Sequence, residues 1–161
     1  AALEDAFQYD GKVLIEKFIK GREIECGVLG NYYPKASVCG EVVVKSSFYS
    51  YEAKYIDNQS SKVVIPALIS DEESKKIREI SIKAFKVLGC LGLARVDFFL
   101  TENGEVLLNE VNTLPGFTNN SMYPKLWEAS GIRYSELITQ LIELALERHE
   151  NGLGNSKFVS K

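Results

Sequence analysis

The dipeptide Asn103–Gly104, which separates two apolar segments, constrains the fold of this chain more than any other feature of its sequence. An Asn–Gly pair in such a position is the strongest short-range signal for a β-hairpin, because both residues tolerate the positive φ angles of a tight turn. It predicts two antiparallel strands, at residues 93–100 and 105–111, joined by a two-residue loop.

A two-residue loop places four polar side chains on one face of this hairpin. Asp97 then lies opposite Glu110 and Arg95 lies opposite Asn112, because side chains two residues apart on a strand share a face. Two carboxylates directly opposite each other repel and destabilise a sheet. Mg²⁺ would hold both, since it prefers carboxylate and amide oxygens and completes its shell with water and phosphate. The pattern therefore indicates a magnesium–nucleotide site.

A second interpretation of the same four residues stays open from spacing alone. They would form a partly exposed salt-bridge cluster in which Arg95 neutralises the carboxylates. In either case the face is predicted to continue as an apolar floor made of Phe99 and Leu108. Both interpretations depend on the length of the loop, because a shift of one residue turns every side chain to the other face.

The rest of the chain predicts an α+β fold. Ser70 and Glu73 form a capping-box pattern before an apolar stripe that ends at Gly89, which predicts a helix between them. Residues 13–15 predict a strand buried on both faces. The predicted elements besides this helix and the hairpin are strands at 12–19, 22–29, 34–39 and 41–45, an exposed loop at 46–66, and helices from Ser121 to near Gly131 and at 135–150.

Charge and hydropathy exclude two classes of partner. Lys and Arg number 19 against 22 Asp and Glu, so the net charge is −3 and the basic footprint of a nucleic-acid-binding protein is absent. No apolar segment approaches the roughly 20 residues that span a bilayer. Cys26, Cys39 and Cys90 are far apart in the sequence and are expected to be small buried apolar residues in a reducing compartment.

Five blocks of this sequence resemble D-alanine–D-alanine ligases, which belong to the ATP-grasp superfamily. The blocks keep the family's order and approximate separation up to about residue 150. They are residues 16–23, 51–55, 93–99, 108–118 and 121–124.

The resemblance implies that the chain is a C-terminal fragment. We expect an ATP-grasp C-terminal domain with a mostly antiparallel sheet flanked by helices, without the family's N-terminal domain and most of its central domain. Residues 1–19 would be the tail of the central domain and would carry the adenine-contacting strand. Residues 20–150 would be the C-terminal catalytic domain, and residues 151–161 a flexible tail.

The resemblance also assigns roles to the polar face of the hairpin. Asp97, Glu110 and Asn112 would bind two Mg²⁺ ions, or Mn²⁺, with Glu110 bridging the two. Arg95 and the backbone N–H of Gly116 would stabilise the acyl-phosphate and the tetrahedral intermediate. Arg95 could still neutralise the carboxylates at the same time.

Eight further residues match positions that bind ATP in this family. Without the resemblance, the two glutamates among them are ordinary exposed strand residues and the phenylalanines are core residues. They are Glu16, Lys17, Phe18 and Ile19 along adenine, Glu23 on the ribose hydroxyls, Phe48 and Phe99 as further walls of the adenine slot, and Lys54 on the phosphates.

Three residues match positions that bind or enclose the amino-acid substrate. Tyr55 resembles a residue of the active-site lid, and a tyrosine there favours formation of a dipeptide over a depsipeptide. Ser121 and the backbone N–H of Met122 would bind the carboxylate of the second D-alanine, since the N-terminus of a helix attracts anions. The alternative for Ser121 is a simple helix cap.

The resemblance implies that the parent protein joins two D-alanines, with ATP, through a D-alanyl phosphate. We expect it to supply peptidoglycan synthesis in the bacterial cytoplasm and to be a homodimer, and we expect the isolated chain to be inactive. Two alternatives stay open: another ATP-grasp carboxylate–amine ligase, or an isolated chain that acts only as a magnesium–nucleotide binding module.

Overall fold

A five-stranded antiparallel sheet in the order β3–β2–β1–β4–β5 is the centre of the computed structural model, which describes residues 2–44 and 61–151. Helices flank the sheet, so the predicted α+β class is confirmed. The elements are α1 (Ala2–Ala6), β1 (Gly21–Gly30), β2 (Lys35–Val44), β3 (Ser61–Val64), α2 (Asp71–Val87), β4 (Gly92–Thr101), β5 (Val106–Asn112), α3 (Met122–Ala129) and α4 (Tyr134–Glu150).

The two faces of the sheet have different neighbours, because alternate residues of each strand point to opposite sides. Helix α2 covers one face, where its Ile77 and Phe85 belong to a buried cluster with residues of β1 and β4. Helices α3 and α4 cover only one end of the other face, where Tyr123, Trp127 and Leu137 pack around Leu29. The remainder of this second face carries the polar residues of the hairpin.

The capping box of α2 forms as predicted. The Ser70 hydroxyl accepts a hydrogen bond from the Glu73 backbone N–H at 3.2 Å, and the Glu73 carboxylate accepts one from the Ser70 backbone N–H at 2.8 Å. The helix gives way to Gly89, whose φ of +65° is a left-handed conformation that glycine adopts without strain. Local sequence signals therefore determine both ends of this helix.

The strand predicted at residues 12–19 is wrong. Residues 12–20 have no regular secondary structure, and the side chains of Leu14 and Ile15 are 82% and 74% exposed. A β-rich segment becomes a strand only when a neighbouring strand pairs with it. Within residues 2–44 and 61–151, no strand pairs with this segment.

Strand β2 also differs from the prediction, which divided it into two strands around Gly40. The strand is continuous through Gly40, where the glycine lets α3 approach closely: a Cβ at this position would lie 2.8 Å from Leu126 Cδ2 and 2.9 Å from Met122 Sδ. The end of the predicted loop at 46–66 is a short strand, β3, that pairs with β2. The rest of that loop lies outside the described residues.

The cysteines are not isolated in space. Cys26 of β1 lies directly opposite Cys39 of β2, and both side chains are buried, whereas Cys90 is only partly buried. All three are free thiols, and the predicted role of Cys26 and Cys39 as small buried residues is confirmed. None of the helices in the described part of the chain combines the length and apolarity needed to cross a bilayer.

Replacing Ser70 by alanine should lower the free energy of unfolding by about 1 kcal/mol, because it removes one half of the capping box. The hydrogen bonds from the Ser70 backbone and side chain lower the pKa of Glu73 below its ordinary value of 4.5. This part of the stability is therefore present at neutral pH and is lost as the pH falls through the lowered pKa. Urea unfolding at pH 7 and in acid measures both effects.

Lys75→Ala is the matched control for this prediction, because Lys75 is exposed on the same helix. Equal unfolding free energies for Ser70→Ala and Lys75→Ala would contradict the capping account.

Candidate active site

The loop of the β4–β5 hairpin has three residues rather than the predicted two. Thr101 N–H donates to the Glu105 carbonyl at 3.0 Å, so Glu102, Asn103 and Gly104 lie between the paired residues. Gly104 N–H donates to the Thr101 carbonyl at 3.0 Å, and the φ of Gly104 is +75°. Asn–Gly fits this three-residue turn as well, since the turn needs one residue in the left-handed region.

A β-bulge at Asn109 restores the predicted register. Next to the turn, Phe98 pairs with Leu108, one residue away from the prediction. Asn109 is the extra residue of the bulge, and after it Asp97 pairs with Glu110 as predicted. The two carboxylates therefore share one face of the sheet, although the loop that was expected to place them there is longer.

The remaining positions of the hairpin divide at the bulge. Arg95 lies opposite Asn112 as predicted. Phe99 lies opposite Leu107, and Leu108 lies opposite Phe98, so Phe99 and Leu108 are not the directly opposed pair that a two-residue loop predicts, although both line the cleft described below. The one-residue shift is confined to the turn side of the bulge, so it changes the apolar pairs and leaves the polar ones unchanged.

The Arg95 guanidinium makes a bidentate pair of hydrogen bonds with the Asp97 carboxylate. Its Nε donates to Asp97 Oδ1 at 2.8 Å, and its Nη2 donates to Asp97 Oδ2 at 2.7 Å. Burial of the guanidinium disfavours its charge, but the Asp97 hydrogen bond and the charges of Glu25, Asp97 and Glu110 outweigh burial and raise the pKa of Arg95. The site therefore contains a permanent cation among carboxylates.

Glu25 is a member of this site that the sequence analysis missed. It lies on β1 directly opposite Asp97, and its Oε2 is 2.9 Å from Arg95 Nε. Glu25, Asp97 and Glu110 thus form a row across three neighbouring strands. The signal that could have found it is its spacing of two residues from Glu23, which places both on one face of β1.

The oxygen donors on this face have the chemistry of a magnesium site. Asp97 and Glu110 supply carboxylates, and Asn112 supplies an amide oxygen that here accepts a hydrogen bond from Leu114 N–H at 3.2 Å. Mg²⁺ is usually held by one or two carboxylates with water and phosphate. No group of three or more His, Cys, Asp or Glu side chains in the described ranges is arranged around a metal position. Asp97 is instead in its arginine-paired state.

A cleft of about 810 Å³ opens beside the hairpin. Every predicted nucleotide-binding residue in the described part of the chain lines this cleft. These residues are Glu16, Lys17, Phe18, Ile19, Glu23 and Phe99. Phe48, Lys54 and Tyr55 lie outside the described residues. A smaller cavity of about 320 Å³ lies between the end of β1 and helix α4, and no predicted site residue lines it.

Gly116 and Ser121 lie side by side after the hairpin. Ser121 is the N-cap residue of α3, as the alternative predicted, but its hydroxyl accepts a hydrogen bond from Thr118 N–H at 3.0 Å and makes no capping hydrogen bond to the first turn of the helix. A Cβ on Gly116 would lie 3.1 Å from Ser121 Oγ. Met122 follows as the first residue of α3 and is buried.

Comparison with known proteins decides the family. The model for the D-ala D-ala ligase C-terminus matches residues 1–143. The chain belongs to the D-alanine–D-alanine ligase family. It is 66% identical, over 93% of its length, to a D-alanine–D-alanine ligase of Shouchella clausii, but covers only 41% of that protein. The predicted resemblance is confirmed, and this chain spans about two fifths of its relative.

Solved structures of the family share the fold. The D-alanine–D-alanine ligase from Coxiella burnetii superposes with a TM-score of 0.81 at 46% identity, covering 95% of this chain and 40% of that one. The VanG D-Ala:D-Ser ligase from Enterococcus faecalis gives 0.78 at 41% identity, covering 89% of this chain and 41% of that one. The five-stranded sheet and its helices are therefore the C-terminal domain of the family's ATP-grasp fold.

Removing the exposed carboxylate of the row should not destabilise the chain. In the absence of divalent cations we expect Glu110→Gln to leave the free energy of unfolding unchanged or to raise it by less than about 1 kcal/mol, because it removes a like charge opposite Asp97. Arg95→Met should cost about 3–5 kcal/mol, since it leaves the largely buried carboxylates without their cation. Thermal unfolding in EDTA measures both.

The control for this pair of variants is Glu105→Gln, which makes the same charge change at an exposed position of the same hairpin. A loss of more than about 1 kcal/mol in Glu110→Gln would contradict the picture of repelling carboxylates.

Proposed function

We propose that this chain is the C-terminal catalytic part of an ATP-dependent D-alanine–D-alanine ligase. The observation that carries the proposal is the placement of Arg95, Asp97, Glu110 and Asn112 on one sheet face beside a cleft of about 810 Å³. Membership of the family supports the substrates, ATP and D-alanine. In this proposal residues 1–19 belong to the central domain and residues 20–150 to the C-terminal domain.

The hairpin residues bind the metals in this proposal. Asp97, Glu110 and Asn112 would hold two Mg²⁺ ions, or Mn²⁺, through their carboxylate and amide oxygens. When bound, the metals neutralise the phosphate charge that builds up during phosphoryl transfer. Glu110 is exposed, so its carboxylate is accessible to a ligand, whereas Asp97 must first release Arg95.

The cleft binds the adenosine part of ATP. Residues 16–19 lie outside the sheet, so backbone groups of Lys17 and Ile19 are not committed to a β-ladder and can read the edge of the base. Phe18 is 86% exposed and, with Phe99, offers an aromatic wall for it. Glu23 accepts hydrogen bonds from the ribose hydroxyls. Phe48 and Lys54, outside the described residues, complete the nucleotide site.

The chemistry has two steps. A carboxylate oxygen of the first D-alanine attacks the γ-phosphorus of ATP, which releases ADP and forms the acyl-phosphate. The amine of the second D-alanine then attacks the acyl carbon, and phosphate leaves as the amine loses its proton. Arg95 and the Gly116 N–H stabilise the oxyanion that develops on this carbon.

Helix α3 holds the second substrate. Ser121 and the Met122 N–H bind its carboxylate, because the free backbone N–H groups at a helix N-terminus favour an anion. Ser121 and Gly116 are neighbours, which brings the carboxylate site next to the oxyanion donor. Tyr55, outside the described residues, closes the site against water.

The likeness to a D-Ala:D-Ser ligase favours one alternative substrate. The sheet face and cleft suit any carboxylate–amine ligase, so a family member that adds D-serine would use the same hairpin. Product analysis of the parent enzyme with D-alanine alone and with D-serine added separates the two. In the main proposal the parent is a cytoplasmic homodimer whose dipeptide supplies peptidoglycan, and the isolated chain has no ligase activity.

Binding of magnesium–ADP to the chain tests the metal site. We expect Asp97→Asn and Glu110→Gln to raise the Kd by about tenfold or more in calorimetry, because each removes a carboxylate from the cation. Glu79→Gln is the control, since Glu79 is exposed on α2. Equal affinity in all four proteins would refute the site, and a parent enzyme that releases ADP with other amino acids but not with D-alanine would refute the substrate.

A further inference from the structure

Arg95 faces two carboxylates but has one hydrogen on Nε to share between them. That hydrogen points at Asp97 Oδ1, 2.8 Å from Nε, while Glu25 Oε2 lies 2.9 Å from the same nitrogen. Arg95 Nη2 donates the second hydrogen bond, to Asp97 Oδ2, at 2.7 Å. The guanidinium therefore occupies both oxygens of Asp97, with a second carboxylate already within reach.

A cation bound to Asp97 competes with the hydrogen bonds that Arg95 donates to the same carboxylate. A carboxylate that donates an oxygen to Mg²⁺ cannot keep both hydrogen bonds to Arg95 in their present form, and two positive groups on one carboxylate repel each other. The guanidinium is largely buried, with a side-chain exposure of 17%. A buried charge that loses its partner is strongly destabilising, so Arg95 needs another acceptor when the site is loaded.

Glu25 meets that need without movement of the backbone. It lies on β1 opposite Asp97, its side chain is 12% exposed, and its carboxylate is on the side of Asp97 away from Glu110. A rotation of the guanidinium that turns the Nε hydrogen toward Glu25 exchanges one carboxylate for the other. Neither Glu25 nor Arg95 belongs to the set of metal donors.

We propose that Glu25 is the positioning residue that holds the Arg95 guanidinium when Asp97 binds a cation. This inference rests on the metal site of the proposed function. Glu25 then has two effects: it makes Asp97 available to the metal, and it keeps Arg95 oriented on the face where negative charge develops. It touches neither substrate nor metal.

A double-mutant cycle on Mn²⁺ binding to the full chain tests the first effect, with free Mn²⁺ followed by electron paramagnetic resonance. We expect Glu25→Gln to raise the Mn²⁺ Kd by about tenfold when Arg95 is present. In an Arg95→Gln background, Glu25→Gln should change the Mn²⁺ Kd by no more than about twofold, because the competing guanidinium is gone. Glu79→Gln is the control for charge.

Each outcome of the cycle bears on a different claim. If Glu25→Gln weakens Mn²⁺ binding equally in both backgrounds, Glu25 acts as a ligand or through its field, and the inference is overturned. It is also overturned if Glu25→Gln has no effect in the presence of Arg95. If Asp97→Asn binds Mn²⁺ as well as the unchanged chain does, the metal site of the proposed function fails, and the inference fails with it.

The Arg95 Nε–H resonance in nuclear magnetic resonance tests the second effect and does not depend on the Arg95 variant folding. We expect this resonance to shift on addition of Mg²⁺ yet to stay sharp and protected from solvent exchange in the unchanged chain and in Glu79→Gln. In Glu25→Gln it should broaden or vanish on addition of Mg²⁺ while the backbone amide spectrum is unchanged. A resonance that stays sharp in Glu25→Gln would overturn the inference.

Discussion

The register between β4 and β5 is the constraint on which the site depends. Sheet side chains alternate between two faces, so a slip of one residue would turn Glu110 and Asn112 away from Asp97. The three-residue loop alone would produce such a slip relative to a two-residue turn, and the bulge at Asn109 compensates for it. The local irregularity is therefore what brings the two carboxylates together.

Electrostatics on that face explain why the arrangement is stable and also ready to bind a cation. A row of three carboxylates across β1, β4 and β5 is unfavourable by itself, and Arg95, two residues from Asp97 on β4, offsets it. The Arg95 guanidinium donates hydrogen bonds to both carboxylate oxygens of Asp97, whereas Glu110 stays exposed. In our account a bound cation replaces the guanidinium on Asp97, and Glu25 receives it, so charge is compensated in both states.

Local signals predicted those parts of the fold that depend on neighbours in sequence. The capping box at Ser70 and the Asn–Gly turn are complete within a few residues, and both elements form. The prediction of a strand at residues 12–19 was wrong because a strand needs a neighbouring strand to pair with, and the pattern of residues 12–19 does not say whether one is there. Glu25 was missed for a related reason: its neighbour Asp97 is far away in sequence, and only the order of the strands brings them together.

A crystal structure of the chain with Mn²⁺ and ADP tests the central claim most directly. The anomalous scattering of manganese locates the bound ions in such a structure. The account predicts manganese between the carboxylates of Asp97 and Glu110, with the Asn112 amide oxygen as a further ligand and ADP in the adjoining cleft. Manganese bound elsewhere, or a Glu110 side chain on the face that α2 covers, would contradict it.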